Sequence, residues 1–293
     1  MQRRLHSMIS QNNALFKRIL PSYRIYNRSV VLSYKILGES TESDEPPIFL
    51  FHSLLSGKKQ WEAIGKTLLN VTKRSVVAVD LRNHGDSPHT TTHRYLDHAE
   101  DIMHLFKKLG VEQASLIGHS MGGKAAMCLA LMEVRSCHLP GLRECSKEIP
   151  WPRNTKDDEG TWMGFSHVIE DDHVLRCVLS NIRLKKDDTI GWNINIDVLL
   201  NEIKYIADFP KLSLKGRKYY GPTLLVGGQF SDFLPPDDLT EIRDMFPKAV
   251  ITYIPRASHN VHIDDPRTFL EIAISFIRTH HYKRQFKPPA LTK

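Results

Sequence analysis

Short runs of apolar and β-branched residues alternate with helix-like patterns along most of this chain, and this alternation restricts the possible fold more than any other feature. Crossover helices between such runs return the chain to the same edge of a sheet, so the strands lie parallel. The predicted strands are 30–37, 48–51, 75–80, 114–117, 223–226 and 250–254. The predicted helices are 61–69, 98–109, 124–132, 239–246 and 266–277. The sequence therefore predicts an α/β fold with a mostly parallel sheet flanked by helices.

Between Glu133 and Tyr220 this alternation stops. No clean strand is predicted there, and prolines at positions 140, 150 and 152 interrupt the first part. Segments 174–184 and 196–206 are predicted as two separate helices. Outside this region, the helix at 98–109 is expected to end at Gly110, because glycine adopts the left-handed conformation of a C-cap without strain.

The segment from Gly118 to Gly122 reads GHSMG, a G-x-S-x-G motif placed between a predicted strand and a predicted helix. A serine on a strained turn of this kind projects its Oγ above the sheet, and the two glycines let neighbouring backbone pass closely. A serine hydroxyl is a weak nucleophile, so it needs a base that is oriented by an acid. Ser120 is the predicted nucleophile.

His259 is the predicted base. It lies just after the last predicted strand, which is the place of the base when the chain order is Ser, acid, His. His262 is the competing histidine, and it is expected to cap or pack against the last helix instead. The acid is expected after the preceding strand, where Asp232 lies, although Asp232 is also suited to a turn before Pro235.

The oxyanion of a tetrahedral intermediate needs two N–H donors. One is the backbone of Met121, the residue after the predicted nucleophile. The other is expected from the loop after strand 48–51, with the N–H of Leu54 as the predicted donor. His52, in the same loop, also fits the role of a simple strand-end residue.

The chain lacks the usual patterns of metal, nucleotide and redox sites. Its four cysteines form no C-x-x-C pair and predict reduced thiols: Cys128, Cys137, Cys145 and Cys177. No H-E-x-x-H motif is present, and His93 and His98 are expected to be surface histidines rather than metal ligands. No glycine-rich phosphate loop or dinucleotide fingerprint occurs. Neither a metal nor a cofactor is therefore expected.

The excess of positive charge lies at the N-terminus. The chain of 293 residues has 40 Lys and Arg against 33 Asp and Glu, a formal net charge of +7. The bases that precede the first acid, Glu39, are Arg3, Arg4, Lys17, Arg18, Arg24, Arg28 and Lys35. The remaining residues therefore hold 33 charges of each sign. The chain after these N-terminal bases is therefore neutral and has no excess of bases that would bind nucleic acid, so no nucleic-acid partner is expected.

Residues 1–28 are expected to be a mitochondrial presequence. They contain arginine, no acid, several hydroxyl residues and scattered apolar residues. Their longest apolar run, 14–16, is too short for a secretory signal. The predicted location is the mitochondrial matrix, and the alternative is an unstructured basic tail on a cytoplasmic protein. No window of the sequence approaches the roughly 18 apolar residues of a membrane span.

Two longer motifs carry a family resemblance: residues 80–89 read DLRNHGDSPH, and residues 118–124 read GHSMGGK. With them the chain resembles the α/β-hydrolase superfamily, more narrowly the group of alpha/beta hydrolase domain-containing protein 11 and its bacterial esterase relatives. The resemblance implies a serine hydrolase of esters in mitochondria, acting on acylglycerols such as diacylglycerol. It also implies a helical cap, supplied by helices within 165–220. Asn83 and His84 are expected to be structural, because no physical argument makes them catalytic.

Three features depart from the family's pattern. Ser53 stands where the family has glycine after His52, so a side chain occupies a site where backbone must approach the oxyanion. The family has a strand after the elbow helix that ends in Asp-Ile-x-Pro, and 133–165 contains no such strand or motif. Asp197 aligns with a position that relatives also carry as Asp, so Asp197 is the alternative to Asp232 as the acid.

The missing strand matters because, in the superfamily, it lies between the elbow strand and the strand before Asp232. If its neighbours closed the gap, His259 would move by about 4.8 Å, one strand spacing, toward Ser120. This shift exceeds the tolerance of a Ser–His hydrogen bond. Either another segment fills the slot or the catalytic groups are not assembled.

The expected organisation follows from these patterns. Residues 29–132 and 221–282 are predicted to form an α/β-hydrolase core, with 133–220 as a divergent insert and helical cap and 283–293 as a basic tail. The predicted function is hydrolysis of carboxylic esters by a Ser-His-Asp acyl-enzyme mechanism. The alternative is a catalytically impaired variant that binds a lipid or a protein. No protein partner is specified by the sequence.

Overall fold

The computed structural model describes residues 29–38, 45–132, 178–184, 190–236 and 239–280, and the elements are numbered along these residues. The strands are β1 (Tyr34–Leu37), β2 (Ile48–Phe51), β3 (Val76–Val79), β4 (Ser115–Gly118), β5 (Ile182–Leu184), β6 (Ile190–Trp192), β7 (Thr223–Gly228) and β8 (Ala249–Ile254). The helices are α1 (Glu62–Thr72), α2 (Tyr95–Leu109), α3 (Met121–Met132), α4 (Ile196–Asn201), α5 (Ile203–Ala207), α6 (Thr240–Met245), α7 (Val261–Asp264) and α8 (Pro266–Thr279). A 3₁₀ turn, Lys58–Trp61, precedes α1.

Four strands form a mixed sheet in the order β1-β3-β2-β4. β2 is parallel to both β3 and β4, and β1 is antiparallel to β3. Phe51 is in register with Val79 on one side and with Gly118 on the other. The loops that follow β2, β3 and β4 therefore leave the sheet at one edge, where side chains from all three can meet.

β7 and β8 form a separate parallel pair, and among the described residues β4 is not paired with β7. Apolar packing joins the two sheets instead: Ile117 of β4 shares one buried cluster with Leu224 of β7 and Ile254 of β8. Helices α1 and α8 cover the same cluster. The segment 133–165, where the family strand is missing from the sequence, lies outside the described residues.

The predicted core elements are largely confirmed. β2 has the predicted bounds, and Gly110 ends α2 with φ 67 in the left-handed region. The first strand is shorter than predicted, because side chains instead of a strand partner take the N–H groups of Val30 and Ser33. The acceptors are Asp101 Oδ1 at 2.7 Å and Ser87 Oγ at 2.8 Å.

The predicted structure of the insert is wrong in two places. The strands β5 and β6 pair antiparallel as a hairpin, so the helix predicted at 174–184 does not reach Ile182. These strands have three residues each, too few to show a strand periodicity in the sequence. The helix predicted at 196–206 is divided at Glu202, whose carboxylate pairs with Arg94 at 3.1 Å. Within the described residues, no helix is both long and apolar enough to cross a membrane.

Candidate active site

Ser120 lies at the turn between β4 and α3, as the motif predicts. Its φ of 52 is in the left-handed region, which is disfavoured for a residue with a side chain and is a feature of strained functional turns. The side chain is only 2% exposed, so the site lies beneath other residues. The loops after β2 and β3 leave the sheet at this same edge.

The two glycines of the motif are required by close backbone contacts. A Cβ on Gly118 would lie 2.4 Å from the carbonyl carbon of Gly122, and a Cβ on Gly122 would lie 2.4 Å from Phe51 O. The turn is also bonded to the end of β2. His119 N–H donates to Phe51 O (3.0 Å), and Gly122 N–H donates to His52 O (3.1 Å). The turn is therefore held rigidly against the loop that follows β2.

His259 lies beside this turn. His119 Nε2 is 3.2 Å from the carbonyl oxygen of His259, and the two rings are 4.9 Å apart. Gln60 Nε2 contacts the other ring nitrogen of His119 at 3.3 Å. Because an amide nitrogen only donates, His119 Nδ1 accepts there and Nε2 carries the proton that is donated to His259 O. The ring of Phe233, in the loop after β7, packs on His259 at 4.4 Å.

His262, the competing histidine, is 3% exposed and is packed on several sides. Its ring is stacked on Trp61 at 4.8 Å and lies 4.5 Å from the ring of His119. Its Nε2 is 2.8 Å from Gln60 Nε2, and therefore accepts a hydrogen bond. These contacts give His262 a packing role on α7 and favour His259 as the base.

The two alternative acids lie in different parts of the structure. Asp232 is exposed in the loop after β7, next to the Phe233 that packs on His259. Asp197 is exposed in the first turn of α4. The loop that carries Asp232 contacts the predicted base through the ring of Phe233.

The loop after β2 is fixed by its own histidine and by Gln60. His52 Nδ1 donates to Ser53 O at 2.7 Å, and its Nε2 accepts from Leu81 N–H at 2.9 Å. Ser53 N–H donates to Gln60 Oε1 at 3.3 Å. Gln60 thereby joins the loop of the predicted donor Leu54 to both His119 and His262, a role that no sequence motif indicated.

Four buried histidine rings form a row from this loop to α2. Neighbouring ring centres are 5.0 Å apart for His52 and His84, 5.4 Å for His84 and His93, and 4.4 Å for His93 and His98. The prediction of surface positions for His93 and His98 is wrong, because these side chains are 1% and 0% exposed. In the fold the side chains of both histidines point inward, and their separation of five residues in the sequence does not predict this. No group of three His, Cys, Asp or Glu in the described ranges is arranged to hold a metal ion.

Burial keeps these histidines neutral. It lowers the pKa of His84 to about 3, lowers that of His52, and lowers those of His93 and His98 well below their ordinary value. His93 Nδ1 faces the amide nitrogen of Asn83 at 3.2 Å, so its Nε2 carries the proton that faces Met121 Sδ at 3.2 Å. Through His93 the row therefore contacts Met121, whose backbone N–H is a predicted donor to the oxyanion.

The motif of residues 80–89 is largely an internal scaffold. Arg82 makes a bidentate ion pair with Asp101, with Nε–Oδ2 at 2.7 Å and Nη2–Oδ1 at 2.9 Å. Asn83 is fully buried and donates to Thr92 O at 2.9 Å. The buried Lys124 of the second motif donates to the last carbonyls of α5, including Ala207 O at 2.6 Å. The second motif thus bonds the core to α5, and the first motif is bonded to the chain before α4, because Asn195 N–H donates to Asn83 O at 2.9 Å.

Comparison with known proteins agrees with this geometry. The family described as alpha/beta hydrolase fold matches residues 46–164. A protein of Danio rerio named sn-1-specific diacylglycerol lipase ABHD11 is 32% identical over 262 residues, 81% of this chain and 80% of that protein. Its namesake in Mus musculus is 31% identical, over 85% of this chain and 86% of the relative.

A solved structure described as a marine microorganism esterase superimposes with a TM-score of 0.74 and 26% sequence identity, covering 85% of this chain and all of that one. The fold, the strained serine turn and these similarities define the class of protein. The chain belongs to the α/β-hydrolase family. Within that family it is similar to the proteins named ABHD11 and to the solved marine microorganism esterase.

Proposed function

We propose that this chain is a serine hydrolase that cleaves carboxylic esters through an acyl-enzyme. The observation that carries the proposal is the left-handed Ser120 on a strand-to-helix turn with His259 held beside it. The names of the similar proteins, two diacylglycerol lipases and an esterase, agree with this chemistry.

In the proposed mechanism Ser120 Oγ attacks the ester carbonyl while His259 accepts its proton. The N–H groups of Leu54 and Met121 stabilise the oxyanion of the tetrahedral intermediate. His259 then gives the proton to the leaving alcohol, and water repeats the sequence to release the acid and regenerate Ser120. Asp232 orients His259 and stabilises its charged form, with Asp197 as the alternative acid.

The proposed substrates are lipid esters, with diacylglycerol as the first to test. The named relatives support this choice. The chain after its N-terminal bases has equal numbers of positive and negative charges, which suits an uncharged apolar substrate better than a polyanion. No cofactor or metal takes part in the proposed reaction, because a serine, a histidine and an acid complete it.

A fluorophosphonate probe tests the nucleophile directly. The wild type should be labelled, and Ser120→Ala should not be labelled. Ser275→Ala is the matched control, because Ser275 is exposed on α8, and it should be labelled like the wild type. Equal labelling of the wild type and Ser120→Ala would overturn the proposal.

The alternative function is that of an impaired hydrolase fold that binds a lipid or a protein without turnover. Ser53 in the loop after β2 and the lack of pairing between β4 and β7 in the described residues motivate it. Hydrolysis of a short-chain nitrophenyl ester that disappears in Ser120→Ala would reject this alternative. Binding of diacylglycerol without any turnover would support it.

We also propose that the protein works in the mitochondrial matrix after removal of residues 1–28. The six bases and the lack of any acid in residues 1–28 support this location, and a cytoplasmic location is the alternative. The proposed catalytic domain is then made from 29–132 and 221–282, with 133–220 as insert and cap and 283–293 as a basic tail.

A further inference from the structure

Leu55 has an unusual conformation next to the proposed donor Leu54. Its φ of 59 is in the left-handed region, although leucine has a branched side chain and is 6% exposed here. Such a conformation persists only where the surroundings enforce it. The Leu55 N–H belongs to the peptide group that follows Leu54, so fixing its direction also restricts the rotation of Leu54.

Both backbone polar groups of Leu55 are held by side chains from distant parts of the chain. Its N–H donates to His84 Nε2 at 3.3 Å. Its carbonyl oxygen accepts from Asn181 Nδ2 at 2.7 Å. One bond comes from the loop after β3, and the other comes from the turn that begins the β5–β6 hairpin.

His84 is suited to be the acceptor. Its side chain is fully buried, and Nδ1 donates to Arg82 O at 3.0 Å, so Nε2 has the free electron pair. Its backbone is fixed by the neighbouring turn, where a Cβ on Gly85 would lie 2.3 Å from the Asp80 carboxylate. A histidine with one donating and one accepting nitrogen can make both contacts at once.

Asn181 belongs to the cap segment, defined here as residues 178–184 and 190–209. Asn181 is 5% exposed, and its carbonyl oxygen accepts from Asn193 N–H at 2.7 Å across the hairpin. A second asparagine, Asn195, donates to Asn83 Oδ1 at 3.1 Å. The cap segment is therefore bonded both to Leu55 and to the residue before His84.

Apolar packing adds to this connection. Leu55 is a member of a buried cluster with Val178, Ile194, Leu199 and Ile206, all from the cap segment. Leu54 packs against the same cluster. The position of the cap segment and the conformation of the loop after β2 are thus physically coupled.

We propose that His84 and Asn181 are positioning residues for the ester hydrolysis, which together hold Leu55 so that the Leu54 N–H is directed at the oxyanion. This inference rests on the proposed function, since it takes Leu54 as the donor. It assigns to the cap segment a part in the chemical step in addition to covering the site.

The first test is the steady-state rate on a nitrophenyl ester, divided by the fraction of enzyme that a fluorophosphonate labels at Ser120. His84→Leu and Asn181→Leu each remove one bond to Leu55, and kcat should fall by about tenfold, part of the effect of losing an oxyanion donor. KM should stay close to the wild-type value, because the lost contact acts on the transition state. In the double variant kcat should fall by much less than the product of the two single fold-decreases, since both bonds hold the same residue.

Two variants control for a merely structural role. His84→Gln keeps an oxygen that accepts from Leu55 N–H and should recover most of the lost kcat. His89→Leu changes an exposed histidine of the same loop and should match the wild type. Wild-type kcat per labelled site in both His84→Leu and Asn181→Leu would overturn the proposal. If His84→Leu fails to fold, a wild-type kcat in Asn181→Leu overturns it alone.

A second measurement does not depend on turnover. Hydrogen exchange of the peptide containing Leu55 should become faster in Asn181→Leu and His84→Leu than in the wild type. Unchanged exchange in both variants overturns the inference. If the wild type shows no turnover that depends on Ser120, the proposed function fails, whereas an active wild type with unaffected variants refutes only the positioning role.

Discussion

His119 donates a hydrogen bond of 3.2 Å from its Nε2 to the carbonyl oxygen of His259, across the gap between β4 and β7. The two strands are not paired in the described part of the chain, so backbone bonds between them do not set the distance from Ser120 to His259. Among the described residues, this bond and the buried apolar cluster that contains Ile117 and Leu224 help to hold His259 beside the turn of Ser120. The loop of the proposed base is therefore attached to the serine turn by side chains.

Replacing His119 by Phe should separate this attachment from simple ring packing. Phe keeps an aromatic ring beside His259 but cannot donate to its carbonyl oxygen. We expect kcat on a nitrophenyl ester to fall about tenfold, because His259 is then no longer held in the orientation in which it accepts the proton of Ser120. His119→Gln keeps an acceptor for Gln60 and a donor for His259, so its kcat should remain closer to that of the wild type. Identical rates for His119→Phe and the wild type would contradict the attachment.

The identity of the acid can be decided by two matched substitutions. Asp232→Asn should lower kcat/KM by up to about 10⁴-fold, because His259 loses the carboxylate that stabilises its charged form. Asp197→Asn should leave kcat/KM near the wild-type value, since Asp197 lies on α4 and not in the loop whose Phe233 packs on His259. The measurement is steady-state hydrolysis of a nitrophenyl ester. The opposite order of effects would assign the acid to Asp197.

The ion pair of Arg82 and Asp101 should be important for stability. Both side chains are at most 1% exposed, so Arg82→Leu leaves a buried carboxylate without its partner and should cost about 3–5 kcal/mol of unfolding free energy. Urea unfolding followed by circular dichroism measures this change. Arg267→Leu is the control, because it removes an exposed pair with Glu271 and should not change the urea midpoint measurably. A similarly small effect of Arg82→Leu would contradict the prediction.

The row of buried histidines predicts that stability falls in mild acid. His52, His84, His93 and His98 have pKa values lowered by burial, so below pH 6.5 the unfolded chain takes up protons that the folded chain does not. Unfolding free energy should be constant above this pH. It should decrease below it, by up to about 1.4 kcal/mol per pH unit for each histidine. For His84 the decrease continues to about pH 3, where the folded protein also takes up the proton.

Urea midpoints at pH 7.5, 6.0 and 5.0 measure this dependence. His98→Gln removes one of the four titrating groups and should reduce the slope, whereas His89→Gln, at an exposed position, should leave it as in the wild type. A wild-type stability that does not change between pH 7.5 and 5.0 would contradict the prediction.

The N-terminal segment predicts a processing event. Expressed in cells with a C-terminal tag, the protein should be recovered from the mitochondrial fraction with its N-terminus near residue 28. Replacing Arg3, Arg4, Lys17 and Arg18 by Gln should keep the chain intact and outside mitochondria, because the presequence loses its positive charge. Recovery of the wild type with Met1 still present would refute the presequence.

The sequence by itself determined the local elements of this protein. Apolar runs of four residues predict β2, and the glycines around Ser120 predict the serine turn, because strand periodicity and permitted backbone angles are properties of neighbouring residues. The family resemblance rests on such local motifs too. The fold of the core and the position of Ser120 in it could therefore be predicted before the structure was known.

Only the tertiary structure decided which distant side chains meet around that turn. Gln60 contacts His262, Asn181 contacts Leu55, and His93 and His98 face inward. Each of these contacts depends on how helices and loops pack across the sheet, and periodicity within a segment carries no information about it. The short hairpin of the cap was missed for the same reason, since its strands are specified by their partners more than by their own residues.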